Sequence, residues 1–349
     1  MGPGSDRRRF FGELLREAAG VIREVNTAMR DVLQEPSPVE SEPWYETAPV
    51  RAHPASHTAS LEELAALCDA VGLSGRCDQV LALAKPSLRL TGVDLAQAAQ
   101  ARSYLGGVPD VPADFVWPTW NERALDFIGQ IDLAEAAANA PAEALACGLP
   151  ASGLLLFFYS LSAKPSGLSP DHRGSSRTVY VNGIVGESNR ATDTQATLPS
   201  HALQLSWELT LPRSWSTVVE RLELDHQETE AWETLREQLA TAQGVDLEEL
   251  SPRWQALHRL LGYPDELGSD LELDCELVTG GVDLAEGEEH TRPQEELEQA
   301  ASTWRLLLQV SEDDELGLSL GDTFSRLYLL ISDADLRRRD FVRSWAILR

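Results

Sequence analysis

The hydrophobic pattern of residues 1–33 predicts an amphipathic helix. Its apolar residues recur at alternating spacings of three and four over three heptads, which places them on one helical face. A helix with such a face needs a cover, supplied by the rest of the chain, by a second copy or by another partner. The apolar positions are Phe11, Leu14, Ala18, Val21, Val25, Ala28 and Val32.

A proline-rich segment follows at residues 34–58. It contains five prolines in 25 residues, and proline does not continue a helix. We therefore expect an extended tether between the N-terminal helix and the body of the protein at residues 59–349.

The body begins with a helical pattern over residues 59–85. Ser60 precedes an apolar stripe and Glu63 stands three residues later, which is the spacing of a capping box. A second short helix is predicted from Arg76 to Ala84, ended by Pro86.

Strand patterns dominate after residue 85. Apolar residues alternate strictly from Leu203 to Leu211 and again from Leu271 to Leu277, so we predict a strand at each place. The sequence favours an α+β fold that is β-rich and mainly antiparallel, because strands and helices do not alternate in a βαβ rhythm. Further helices are predicted at residues 214–224, 228–242 and 293–301.

One pattern occurs twice in the same order. The segment Ser103–Asp110 (the first corner) and the segment His258–Asp265 (the second corner) both end in a Gly-x-Pro-Asp sequence. An apolar run follows each corner and carries a glutamine near its end, Gln130 in one case and Gln309 in the other. Ordered recurrence of this kind indicates an internal duplication.

A third element supports the duplication. A Ser-x-Leu-x-Leu stretch lies at Ser152–Leu156 and again at Ser325–Leu329. We therefore divide the body into a first half at residues 86–212 and a second half at residues 213–349.

Charge and composition exclude several classes of protein. The net charge is −27, and residues 220–300 carry 23 acidic but only 5 basic residues. Such a surface repels phosphate backbones, so no nucleic-acid partner is expected. No apolar run reaches the roughly 18–20 residues that span a membrane. The four cysteines are scattered, unlike a disulfide framework, and a cytoplasmic location is predicted.

Recognisable catalytic motifs are missing from the sequence. We find no Gly-x-Ser-x-Gly elbow and no phosphate-binding glycine loop. A zinc site built from His53, His57, Cys68 and Cys77 is disfavoured because the cysteine spacing is too long and Pro54 interrupts the histidine pair. We therefore assign no catalytic residue, no metal and no cofactor, and lean against an enzyme.

The motifs of residues 86–349 resemble those of the YwqG-like family of bacterial proteins of unknown function. The resemblance implies a β-rich duplicated fold and supplies no established reaction. The matching elements are Leu105-Gly106-Gly107-x-Pro109, Trp117-Pro118, Phe127–Ile131, Gly153–Phe158, His258 with Gly262-Tyr263-Pro264, Leu306–Val310, Gly321-Asp322, Leu327–Ile331, Asp335-Leu336 and Asp340-Phe341.

Five residues are candidates for ligand binding: Gln130, Gln309, Trp117, His258 and Asp322. A buried amide must be hydrogen-bonded, so the two glutamines either lock the junction between the halves or bind a ligand in a shared cleft. The tryptophan either packs on the sheet or faces a peptide or sugar. The histidine is either a satisfied residue at a helix end or a proton carrier. The aspartate belongs to the Gly-Asp element of the family resemblance.

Two functions remain open from the sequence. The favoured one is a non-catalytic protein-interaction, adaptor or immunity-type role, in which the N-terminal helix engages a partner or a second copy. The alternative is an enzyme or small-molecule binder with its site in the cleft between the halves. A concave pocket lined by polar groups with shifted pKa values would distinguish the second from the first.

Overall fold

The computed structural model describes residues 59–93, 101–138, 140, 148–182, 189–190, 198–245, 258–265, 270–313, 317–321 and 325–349. The predicted N-terminal helix and tether lie outside these ranges. The helices within them are α1 (Leu61–Ala70), α2 (Cys77–Leu83), α3 (Leu133–Ala138), α4 (Thr217–Glu220), α5 (His226–Ala242), α6 (Leu271–Thr279), α7 (Gln294–Ala301) and α8 (Asp333–Arg338).

The strands alternate with these helices without a βαβ rhythm, and the α+β prediction is confirmed. They are β1 (Lys85–Gly92), β2 (Tyr104–Leu105), β3 (Asp110–Val111), β4 (Thr119–Trp120), β5 (Arg123–Ala124), β6 (Asp126–Asp132), β7 (Leu154–Tyr159), β8 (Ser176–Val181), β9 (Asn189–Arg190), β10 (His201–Thr210), β11 (His258–Leu261), β12 (Trp304–Ser311), β13 (Arg326–Ser332) and β14 (Trp345–Leu348).

Helix α1 begins at the predicted capping box. Ser60 Oγ accepts a hydrogen bond from the Glu63 N–H, and the Glu63 carboxylate accepts one from the Ser60 N–H. Helix α5 begins in the same way at Asp225 and Glu228. Each box satisfies two backbone donors that a helix start leaves without partners. Helices α1, α2 and α5 then share one apolar cluster with the end of β10.

Ten of the described strands form one antiparallel sheet. Its order is β14-β13-β12-β11-β1-β10-β2-β6-β7-β8. Strands β2, β6, β7 and β8 therefore lie on one side of the β1–β10 pair, and strands β11 to β14 lie on the other.

The two central strands cross over. Strand β1 precedes the first corner in the chain but pairs with β11 of the second, with Arg89 opposite Arg259. Strand β10 precedes the second corner but pairs with β2 of the first, with Ala202 opposite Tyr104. The two sides of the sheet are thus tied together by exchanged strands.

The sheet curves until its two ends approach each other. Thr178 of β8 lies 2.8 Å from Ser344, hydroxyl to hydroxyl, and the Leu348 N–H donates to the Ser166 carbonyl at 3.0 Å. Residues from both sides of the sheet share the largest apolar cluster, which includes Leu155, Leu329 and strand residues around them. Closure in this way leaves little unpaired sheet edge.

Two predicted element assignments, in segments 271–277 and 214–224, differ from the structure. The segment Leu271–Leu277 belongs to helix α6, in which Leu271, Cys275 and Val278 are buried at helical spacing and Asp270 caps the start. The i, i+4, i+7 period therefore prevails over the alternation that predicted a strand. The helix predicted at residues 214–224 is also shorter than expected, since only α4 is helical there.

The alignment of the Ser-x-Leu-x-Leu stretches is off by one residue. Asp132 pairs with Leu154 on one side of the sheet, and Ser311, its counterpart two residues beyond the glutamine, pairs with Arg326 on the other. The counterpart of Leu155 is therefore Leu327, and both lie in the inner cluster. A slip of one residue would place these side chains on opposite faces.

Both corners turn through two successive residues with positive φ. These are Gly106 and Gly107 (66° and 71°) in the first, and Leu261 and Gly262 (63° and 75°) in the second. A Cβ added to Gly262 would lie 2.6 Å from the Ser87 Cβ, so this glycine also allows β1 to approach the corner.

We predict that Gly262→Ala is more destabilising than Gly281→Ala. Both residues have positive φ, but nothing lies within 4 Å of a Cβ built on Gly281. Gly281→Ala should lose about 1–2 kcal/mol of stability from backbone strain alone. Gly262→Ala should lose about 1–3 kcal/mol more, because its new Cβ is crowded by β1. Urea unfolding of the two variants measures the difference. Equal losses would show that the close approach to β1 contributes nothing.

Candidate functional site

Gln130 holds the first corner closed from the next strand. Its side chain is fully buried. Oε1 accepts from the Asp110 N–H at 3.0 Å and from the Tyr104 hydroxyl at 3.2 Å. Nε2 donates to Asp110 Oδ2 at 2.8 Å and to the Arg102 carbonyl at 2.9 Å. All the hydrogen-bonding capacity of this amide is used within the chain.

Gln309 holds the second corner in the same way. It too is fully buried. Oε1 accepts from the Asp265 N–H at 2.9 Å, and Nε2 donates to Asp265 Oδ2 at 3.4 Å. Each glutamine therefore binds both the backbone and the carboxylate of the aspartate that ends its corner. We call this arrangement the Gln–Asp lock.

Neighbouring positions repeat the same contacts with different side chains. Opposite Gln130, the Tyr104 hydroxyl shares its one proton between the Val108 carbonyl at 2.7 Å and Gln130 Oε1 at 3.2 Å. Opposite Gln309, Arg259 Nη1 donates to the Tyr263 carbonyl at the matching place. The geometry of the corner is thus kept while its chemistry differs.

We predict that Gln130→Leu lowers the free energy of unfolding by about 1–3 kcal/mol, because the substitution removes the partners of the half-buried Asp110 N–H and carboxylate. Gln204, exposed on β10, provides the matched control. Gln204→Leu should change stability by less than about 0.5 kcal/mol. Chemical denaturation followed by tryptophan fluorescence measures both, and a Gln130 variant as stable as the control would contradict the role of the lock.

The second corner contains a buried charge cluster. Arg259 Nη2 lies 2.9 Å from Asp265 Oδ2. Arg326 Nη1 and the Tyr328 hydroxyl both donate to the Asp265 carbonyl, at 2.6 and 2.7 Å. Burial raises the pKa of Asp265, but Arg259, Arg326, Arg213 and Arg236 together outweigh it and lower the pKa to about 2.

The cluster extends to the crossing strands. Arg259 Nη2 lies 3.6 Å from Glu208 of β10, and Glu208 also pairs with Arg89 of β1. Arg89 in turn donates to the Gln243 carbonyl at the end of α5. Buried ions need such partners to offset the loss of hydration.

We predict a pH-dependent contribution of Asp265 to stability. Its folded pKa lies below the ordinary value of 3.8, so the contribution is complete above pH 4 and disappears as the pH falls towards 2. The difference corresponds to roughly 2 kcal/mol. Asp265→Asn should lose this acid-dependent part, while Asp114→Asn, at an exposed position, should not. Urea unfolding between pH 2 and pH 7 tests this, and parallel curves for all three proteins would refute it.

A pocket lies beside the second corner, between the start of β1, the segment that follows β10 and the ends of α6 and α7. The residues on its wall come from four separate parts of the chain. They are Lys85, Pro212, Arg213, Ser216, Thr217, Val218, Arg221, Tyr263, Pro264, Asp270, Glu272, Glu298, Ala301, Ser302 and Trp304.

Two polar groups of this pocket lack hydrogen-bond partners among the described residues. Ser216 is only 8% exposed, and its Oγ makes no hydrogen bond. It occupies the N-cap of α4, where a serine side chain ordinarily accepts from the helix backbone, but it does not do so. The buried Nε–H of Arg213 is likewise without an acceptor.

Lys85 brings an amine to the same pocket. Its Nζ lies 4.0 Å from the centroid of the Tyr263 ring, within the range of a cation–π contact. Burial lowers the pKa of Lys85, an effect that Glu272 opposes and Arg305 reinforces. Burial also raises the pKa of the Tyr263 phenol, which stays protonated.

A comparison with models of known protein families finds one match. A family model described as a domain of unknown function (DUF1963) matches residues 103–349. The chain belongs to this family. No curated protein matches it. The DUF1963 segment begins at the first corner and contains both Gln–Asp locks, whereas Lys85 and the rest of β1 precede it.

The singled-out residues that the structure describes in this DUF1963 chain do not all lie in one site. Gln130 and Gln309 lie in separate locks, and Asp322 lies outside the described residues. Trp117 is half-buried, donates to the Leu125 carbonyl at 2.8 Å and packs edge-on against Phe158. Their binding of a ligand stays a prediction.

His258 lies in strand β11, not at a helix end as predicted. Its Nδ1 accepts from the Ser311 N–H at 3.2 Å, and its Nε2 lies 3.1 Å from Asp313 Oδ2. Both ring nitrogens are therefore engaged, and the side chain is only 4% exposed. It ties β11 to the end of β12.

Sequence reasoning missed the pocket residues Lys85, Arg213 and Ser216. The one available signal was the rarity of lysine, since Lys85 is one of two in the chain. Within the described ranges, no three His, Cys, Asp or Glu side chains form a group able to hold a metal ion. None of the helices described has the length and apolar composition needed to cross a bilayer.

Proposed function

We propose that this protein binds a small ligand with a carboxylate or similar acceptor group in the pocket beside the second corner. The observation that carries the proposal is the set of donors on the pocket wall. Ser216 Oγ, Arg213 Nε and Lys85 Nζ have no hydrogen-bond acceptor among the described residues. A buried donor left unpaired costs about 1–3 kcal/mol, which an acceptor on a ligand would recover.

Two of the three carboxylates on the same wall are held by partners of their own. Asp270 accepts from the Thr217 hydroxyl and from the Leu273 N–H. Glu298 pairs with Arg221 and accepts from Gln294. Asp270 and Glu298 therefore do not occupy the buried donors of Ser216 and Arg213, which face a pocket in a chain that is otherwise strongly acidic.

The interaction role favoured by the sequence is the second candidate. The observation behind it is the apolar stripe of residues 11–32, which needs a cover. An adaptor or immunity-type function would use that helix, and it is compatible with a ligand pocket in the body.

We also infer that the body arose by duplication, with halves at residues 86–212 and 213–349 after a helical lead-in at 59–85. The matching Gln–Asp locks and the matching positive-φ corners support this. We further infer that the DUF1963 and YwqG-like families are the same, because most of the motifs that carry the resemblance lie within residues 103–349.

The test compares two serines on the pocket wall. Ser216 has an unpartnered hydroxyl, whereas the Ser302 hydroxyl already donates to the Gln299 carbonyl. We expect butanoate to bind the full chain in NMR titrations, and Ser216→Ala to weaken binding about tenfold, equivalent to one lost hydrogen bond. Ser302→Ala should leave binding unchanged. Absence of butanoate binding, or equal losses in the two variants, would overturn the proposal.

A further inference from the structure

Lys85 has the placement of a reactive amine. It is the first residue of β1, it is half-buried, and its Nζ faces the ring of Tyr263 on the wall of the pocket. No described carboxylate lies within ion-pairing distance of it, although three carboxylates line the same pocket. A lysine with a purely structural role would ordinarily be paired with one of them.

The choice of lysine matters in a chain that otherwise uses arginine. The protein has 29 basic residues of these two types, and only Lys85 and Lys164 are lysines. Arginine stays protonated in proteins, whereas a desolvated lysine yields a neutral amine with a free electron pair. A cation–π contact alone would be served equally well by arginine.

We propose that Lys85 forms an imine with a small aldehyde that enters this pocket. The inference rests on the pocket being a ligand site, as proposed above, and adds a covalent step to it. The wall supplies what the step needs: an amine on Lys85, a hydroxyl donor on Ser216 for the carbonyl oxygen, and an aromatic face on Tyr263 for the product cation.

The chemistry balances without a further reactant. The electron pair of Lys85 Nζ attacks the carbonyl carbon, and a C–N bond forms while the carbonyl oxygen takes up a proton. The C–O bond of this carbinolamine then breaks, and the oxygen leaves as water. The products are one imine and one water from one amine and one aldehyde. The protonated imine keeps the positive charge over the Tyr263 ring, where the ammonium had been.

The chain contains its own control for the test. Lys164 is half-buried like Lys85, its Nζ lies 3.5 Å from Ser319 Oγ, and it is not on the pocket wall. The full-length protein is treated with butanal and sodium cyanoborohydride, which reduces the imine to a stable amine. Peptide mapping by mass spectrometry then gives the rate of labelling at each lysine between pH 6 and pH 9.

We expect Lys85 to be labelled about tenfold or more faster than Lys164 at pH 7, because more of its amine is neutral at that pH. Labelling of both lysines should increase with pH, and that of Lys85 should increase over a lower pH range. In Lys85→Arg, the butyl group should appear only at Lys164 and the terminal amine. Equal rates at the two lysines, or faster labelling of Lys164, would overturn the inference in the unmodified chain, whatever the stability of the variant.

A second aldehyde separates this inference from the proposed carboxylate binding. The probe 4-oxobutanoate has the length of butanal but ends in a carboxylate. Faster labelling of Lys85 by 4-oxobutanoate than by butanal supports both proposals. Labelling of Lys85 by butanal without any gain from the carboxylate supports the reactive amine and contradicts carboxylate recognition.

Discussion

The fold depends on a buried glutamine amide that binds both the backbone N–H and the side-chain carboxylate of one aspartate. An amide can accept from a backbone N–H and donate to a carboxylate at once, and no apolar side chain replaces either contact. Because Gln130 and Gln309 are fully buried, each contact that fails leaves an unpaired group inside the protein. The lock therefore fixes the position of the corner relative to the next strand. It also fixes the register of β2 on β6 and of β11 on β12, since the residue opposite each glutamine contacts the same corner.

The two locks have diverged in charge. In the first, the residue opposite the glutamine is neutral, and the Tyr104 hydroxyl contacts the amide of Gln130. The second places Arg259 at the matching position, and its guanidinium must then be balanced by Asp265 and Glu208. A buried pair of this kind is strongly destabilised when either member is removed, so the second corner tolerates less change than the first. Its charge also reaches the neighbouring pocket, because Arg213 on the pocket wall helps to lower the pKa of Asp265.

The sequence could predict the elements whose signals are local. The capping box at Ser60, the alternation in β10 and the repeated corner are each contained in a few consecutive residues. Segment 271–277 fits two periods at once, and only burial against β12 and β13 selects the helix. The predicted alignment of β7 with β13 is wrong by one residue, because leucines occur on both faces of a fully buried strand. The pocket could not be predicted, since its wall comes from segments up to about 200 residues apart and leaves no linear motif.

The crossing strands explain why, among the described residues, the second corner has an amine beside it and the first has a leucine. Arg89 lies opposite Arg259, and Ala202 lies opposite Tyr104 at the matching position. The residue four positions before Arg89 is Lys85, at the second corner. The residue four positions before Ala202 is Leu198, at the first. Leu198 is only 6% exposed and belongs to the inner apolar cluster. The same count makes Ser200 the counterpart of Ser87, and each serine is the close neighbour of its corner glycine, Gly107 or Gly262. The two corners therefore have the same backbone arrangement around them. They differ in the side chain at this one position, which is a leucine at the first corner and a lysine at the second. Because β1 reaches the second corner only by crossing over, the pocket requires both sides of the sheet to fold together.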